Sequence, residues 1–98
     1  MATIGGLLDR AGSAYGSLAT VGEEVEDEWQ YVQDLTDAWR AQLDRLAAAR
    51  GGEPAPAGAE AAVDRIIDEV GRIIDPHRAI DWLSTFPQVV LLAVDGPA

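Results

Sequence analysis

The sequence predicts an all-α fold of the helical-bundle type: one long amphipathic helix, a shorter antiparallel helix and short C-terminal helices, completed by dimerisation. Three observations carry that expectation. Between Glu23 and Arg50, the residues Val25, Trp29, Val32, Thr36, Trp39, Leu43 and Leu46 recur at alternating steps of four and three, which is one seam of a helix with a 3.5-residue, coiled-coil-like repeat. Between Ala59 and Ile74, the residues Val63, Ile66, Ile67, Val70, Ile73 and Ile74 form a second apolar face, with Asp64, Asp68, Glu69 and Arg72 opposite. Apart from one uncharged run near the C-terminus, nothing in the chain has the look of a strand.

Residues 1–22, MATIGGLLDRAGSAYGSLATVG, form a glycine-rich N-terminal arm ahead of a helical domain over 23–98. Ile4, Leu7, Leu8, Ala11, Tyr15 and Leu18 have helical spacing, but Gly5, Gly6, Gly12, Gly16 and Gly22 interrupt it. Each glycine inside a helix costs ~1 kcal/mol relative to alanine, so the segment is marginal alone. Two readings stay open: an ordered arm or helix packed on the domain, with Gly12 and Gly16 allowing close approach, or a docking peptide that orders on a larger partner.

The long helix is expected over 23–50. Thr20 and Glu23 have capping-box spacing, and Glu23, Glu24, Glu26, Asp27 and Glu28 place negative charge where the helix dipole favours it. Gly51 and Gly52 end the helix, and residues 51–58, GGEPAPAG, form a linker that Pro54 and Pro56 keep from being helical. A second helix is expected over 59–75, then a short one over 76–86 with Pro76 at its first position, carrying Ile80, Leu83 and Trp82 inward. Pro87 marks the next break. The apolar tail, 87–98, contains QVVLLAV, which has neither charge nor period; helix and strand both fit, and the lack of a pairing strand favours helix.

Composition narrows the function. The 98 residues, 48% of them hydrophobic, suffice for one modest core. Without cysteine there are no disulfides and no thiolate metal sites. The formal net charge is −10 and every cation is arginine, a surface that repels phosphate backbones and anionic lipid. Nucleic acid and membranes are therefore not expected partners. No run reaches the ~18 apolar residues of a membrane span, the start lacks the pattern of a secretory leader, and a cytoplasmic location is expected.

Chemistry is hard to find in this chain. His77 is the lone histidine, with Asp75, Arg78 and Asp81 around it and Ser84 two turns on. That is a carboxylate beside an imidazole without a nucleophile in a recognisable setting, and a solvent-exposed first-turn histidine accounts for it. Di-iron bundles need Glu-x-x-His pairs, EF-hands a 12-residue loop with its glycine, and phosphate loops a lysine; none is present. No catalytic residue, cofactor or metal is expected.

The expected function is a non-enzymatic scaffold, adaptor or small accessory subunit, a homodimer or part of a larger complex. Its core and interface residues are Val25, Trp29, Val32, Leu35, Trp39, Leu43, Leu46, Val63, Ile66, Ile67, Val70, Ile74 and Trp82, with docking through residues 1–22 or 87–98. The seam of the long helix is longer than one short companion can cover, and burial at ~25 cal/mol per Å² favours a second copy over exposure. Two alternatives come from other classes: a ligand-binding or enzymatic bundle with His77 and carboxylates at an intersubunit site, and an acidic inhibitor of a basic protein.

Overall fold

The computed structural model describes residues 2–95. Over them the chain is four helices packed on one another, with no strand: α1 (Ile4–Gly22), α2 (Trp29–Arg50), α3 (Ala59–Val70) and α4 (Pro76–Asp95). The fold is all-α, as the apolar periodicities predict.

The N-terminal segment is the centre of the bundle, a packed helix as in the first of the two readings its sequence leaves open. Helix α1 packs against all three others, and Ile4, Leu7, Leu8, Ala11, Tyr15, Leu18 and Ala19 are buried on it. Burial outweighs the glycines: each fully buried large aliphatic side chain is worth about 1.5–3 kcal/mol, against ~1 kcal/mol per interior glycine. Thr3 caps the helix, its Oγ1 accepting from the Gly6 amide at 3.1 Å. The linker completes the cap. The Ile4 and Gly5 amides donate to the Glu53 and Gly51 carbonyls at 3.0 and 2.9 Å, and the Ala55 amide donates to the Ala2 carbonyl at 3.0 Å. Gly5 is required there, because a Cβ would lie 2.8 Å from the Gly51 carbonyl oxygen. Of the two later glycines, Gly12 does allow close approach, with Leu43 Cδ1 at 3.1 Å from where its Cβ would stand, whereas Gly16 faces open space.

Helix α1 extends through Thr20 to Gly22, so the Thr20–Glu23 capping box does not form. Thr20 Oγ1 donates back to the Gly16 carbonyl at 3.0 Å, and Glu23 Oε1 accepts from Gln33 Nε2 at 2.6 Å. The chain turns after Gly22, passes through a 3-10 turn at Glu26–Glu28 and enters α2 at Trp29 rather than at Glu23. The acidic residues thus precede α2, still at its positive end.

Arg50 and Asp95, the last residues of α2 and α4, form an ion pair at 2.7 Å. Helices α2 and α4 therefore end at one pole, where α1 and α3 begin. Helix α3 runs antiparallel to the long helix, as expected, but packs on α1 and α4 instead of along it. Gly58, at φ +83°, makes the turn into α3. This helix stops at Val70 instead of continuing to residue 75, with the Gly71 amide donating to the Ile67 carbonyl at 3.0 Å. The Asp68–Arg72 pair forms at 2.9 Å but is exposed, so it stabilises little.

Helix α4 is one helix of 20 residues through Pro87, not a short helix, a break and a tail. Asp75 Oδ1 accepts from the His77 amide at 3.0 Å at its start, with Pro76 at the first position. Thr85 Oγ1 donates to the Asp81 carbonyl at 3.3 Å, so it does not cap a new helix before Gln88. Pro87 has no amide to donate to the Leu83 carbonyl one turn back, and its ring crowds that carbonyl. The Tyr15 hydroxyl of α1 supplies the missing donor, reaching the Leu83 oxygen at 3.3 Å, long for such a bond but the partner both buried groups have. The Tyr15 ring packs on Trp39 of α2 and Phe86 of α4, with centroids 5.4 and 5.5 Å away, and Trp39 meets Phe86 edge-on at 5.9 Å.

This core closes within one chain. Most of the seam of α2 is covered by α1 and α4, with Val32 and Trp39 buried, Leu35, Leu43 and Leu46 partly buried against the core together with Val25 just before the helix, and Trp29 exposed. Residues 4–22 supply much of the cover that the sequence reading sought from a second copy, while Trp29 and Tyr31 of α2 stay exposed at 51% and 45%. Residues 96–98, the end of the predicted tail, lie outside the described residues.

Burial and, secondarily, Tyr31 push the Tyr15 hydroxyl from 10.0 up to about 12. The folded protein therefore keeps a proton that the unfolded chain releases at the ordinary value. Its contribution to stability is complete below pH 10 and is lost as pH rises from 10 towards 12, at about 1.4 kcal/mol per pH unit within that interval. The chain has neither lysine nor cysteine, whose ordinary titrations would overlap this window. Urea melts across pH 9 to 12 are expected to show this loss in the wild type and a flatter profile in Tyr15→Phe; equal slopes would contradict it.

Candidate functional site

The residues expected to form core or interface divide by helix geometry. Val32, Trp39, Val63, Ile66 and Val70 are buried. Val25, Leu35, Leu43, Leu46, Ile67 and Trp82 are partly buried and packed on the core. Two lie at the surface of the chain and outside its core. Trp29 is 51% exposed, because at 100° per residue a straight helix sets it about 80° around the cylinder from Trp39. Ile74 is 86% exposed, because α3 ends at Val70 and its apolar stripe ends with it. Tyr15 and Phe86, which sequence reasoning did not single out as the core's centre, are fully buried.

His77 stands exposed in the first turn of α4, with Nδ1 3.9 Å from Asp75 Oδ1. Ser84 Oγ donates to the Asp81 carbonyl at 2.8 Å, within its own helix. Among the described residues no three His, Asp or Glu side chains converge as a metal ion would require. The one buried side-chain polar atom without a partner is Trp39 Nε1, again among the described residues.

Two open grooves flank the central helices, and His77 lines neither. The first, of about 460 Å³, lies between α1 and α3. Two of its polar side chains are engaged: Arg10 pairs with Asp64 across the helices, and Ser17 Oγ donates to the Ser13 carbonyl at 3.3 Å. The second, of about 690 Å³, lies between α3 and α4 and is floored by Ala62, Ile66, Trp82, Val89, Leu92 and Ala93. Its charged lining is Arg65 and Glu69, one turn apart on α3. Leu92 is 73% exposed at its edge.

The second groove follows from the composition of α4. In QVVLLAV successive residues step 100° around the helix, so uncharged side chains cover every face. The bundle can bury only one stripe of them, here Val90 and Val94. Val89, Leu92 and Ala93 remain towards α3 and solvent, where Trp82, two and three turns earlier, extends the strip. The absence of charge in the run was the signal; which faces stayed uncovered required the bundle.

No family model, curated protein or solved structure matches the chain.

The two indoles of α2 give a direct check on this burial. Trp39→Ala is expected to cost about 3–5 kcal/mol in urea unfolding, as a buried aromatic truncation does, while Trp29→Ala changes stability by about 1 kcal/mol or less. Comparable losses would contradict the placement of Trp29 at the surface.

Proposed function

We propose that this chain is a non-enzymatic adaptor or small accessory subunit that docks through the groove between α3 and α4. The observation that supports this most is the apolar floor of that groove, where Leu92 is 73% exposed and Trp82, Val89 and Ala93 are partly exposed beside it. Contiguous exposed apolar surface of this kind marks association sites more often than isolated apolar residues do, and an interhelical groove suits an apolar helix face. The surface differs from the one the seam of α2 suggests, since that seam is spent inside the bundle. Of the two segments expected to dock, residues 4–22 have their apolar face inside the bundle, and the second half of α4 keeps part of its own at the surface. An enzymatic reading finds little support: His77 and its carboxylate neighbour line no enclosed site, and a general base needs a substrate held within hydrogen-bond reach.

Affinity purification with wild-type and Leu92→Glu chains as paired baits tests the reading. At least one species, another copy of the chain included, is expected to be held by the wild type and reduced about tenfold or more by the buried charge of Leu92→Glu. His77→Ala is expected to retain it. Equal recovery by wild type and Leu92→Glu would contradict the proposal.

A further inference from the structure

Resting on that reading, we propose that the occupant of the α3–α4 groove is a second copy of this chain, groove against groove. The first reason is electrostatic. The chain carries a formal net charge of −10, yet the charged residues lining this groove are one cation and one anion, Arg65 and Glu69, which cancel. A partner selected by its positive charge gains most where carboxylates gather, as at Glu23–Glu28. It gains nothing particular here. A second copy brings the same balanced, apolar lining, so two acidic chains can meet on this face without the groove placing net like charge in contact.

The second reason is shape. The pole at which α4 ends, with Leu92, is also where α3 begins, and Trp82 lies nearer the other pole. A two-fold axis crossing the groove turns the Leu92 end of one copy onto the Trp82 end of the other. Each copy then sets an exposed aliphatic knob against an indole, and both such contacts form at once, as an isologous interface requires. The small side chains Ala57, Ala59 and Ala62 beside Leu92 let the two surfaces approach closely.

Salt response separates this occupant from a basic one. Two copies of net charge −10 repel over distances that salt screens, so self-association tightens as salt rises, whereas a basic partner's binding weakens. Sedimentation velocity of the purified full chain at about 50 and 500 mM NaCl, between Debye lengths that differ roughly threefold, reads this directly. A monomer–dimer equilibrium whose dissociation constant falls with salt is expected. Leu92→Glu is expected to be monomeric with unchanged helical circular dichroism. Arg65→Glu, which makes both lining charges negative, is expected to weaken the dimer about tenfold, and the exchange Arg65→Glu with Glu69→Arg to restore it.

A chain that stays monomeric at every concentration and salt tested, or a dimer indifferent to Leu92→Glu, overturns the proposal. A monomer whose Leu92-dependent capture partner is a different protein removes self-association and leaves the adaptor reading standing. A monomer with no such partner removes both.

Discussion

One buried hydrogen bond holds together the parts of this fold that would otherwise disagree. Pro87 sits in the middle of α4, where a proline leaves the carbonyl one turn back without its donor. That carbonyl, on Leu83, is fully buried and receives the Tyr15 hydroxyl instead. The tyrosine in turn has its hydroxyl inside the core, which is affordable only with a partner. Each group thus removes the other's desolvation penalty. The same ring contacts Trp39 and Phe86, so α1, α2 and α4 are keyed to one another around a single side chain.

The position of α1 follows from that contact, and so does the character of the surface. With α1 central, α2 spends its apolar seam inside the bundle, and α3 is carried by the linker to the opposite flank, against α1 and α4. The long helix, the most conspicuous amphipathic stretch in the sequence, is therefore a wall of the core and not a free docking edge. Part of the apolar surface left over belongs to α4, whose uncharged second half has more greasy faces than the bundle has places for, and the rest is Trp29 and Tyr31 on α2 and Ile74 after α3. A fold that completes its own core while leaving a charge-balanced strip on an acidic exterior is well arranged for association that leaves the folded chain intact.

How much of this was legible in the sequence depends on the range of the interaction. The all-α class and the apolar stripes of α2 and α3 follow from periodicity, a local property, and Val32, Trp39, Val63, Ile66 and Val70 stand where it puts them. Helix α1 stayed one of two readings because glycine propensity is local too, whereas the burial that overrides it comes from three other helices. The continuity of α4 through Pro87 depends on Tyr15, 68 residues away in sequence, and no reading of the residues around Pro87 could supply it. Trp29 and Ile74 lie outside the core because the stripe runs beyond the helix or the angle that sustains it. For the groove, the uncharged run in α4 was visible, but the faces that α1 and α2 leave bare were not.

The coupling of Tyr15 to Pro87 is best tested by a double-mutant cycle in urea unfolding with Tyr15→Phe and Pro87→Ala. In the wild-type background Tyr15→Phe strands a buried carbonyl and is expected to cost about 1–3 kcal/mol. With Pro87→Ala the residue-87 amide returns to the Leu83 carbonyl, and the cost of Tyr15→Phe is expected to fall by about 1 kcal/mol or more, a coupling of the size seen between groups that share a partner. The same cost for Tyr15→Phe in both backgrounds would contradict the account.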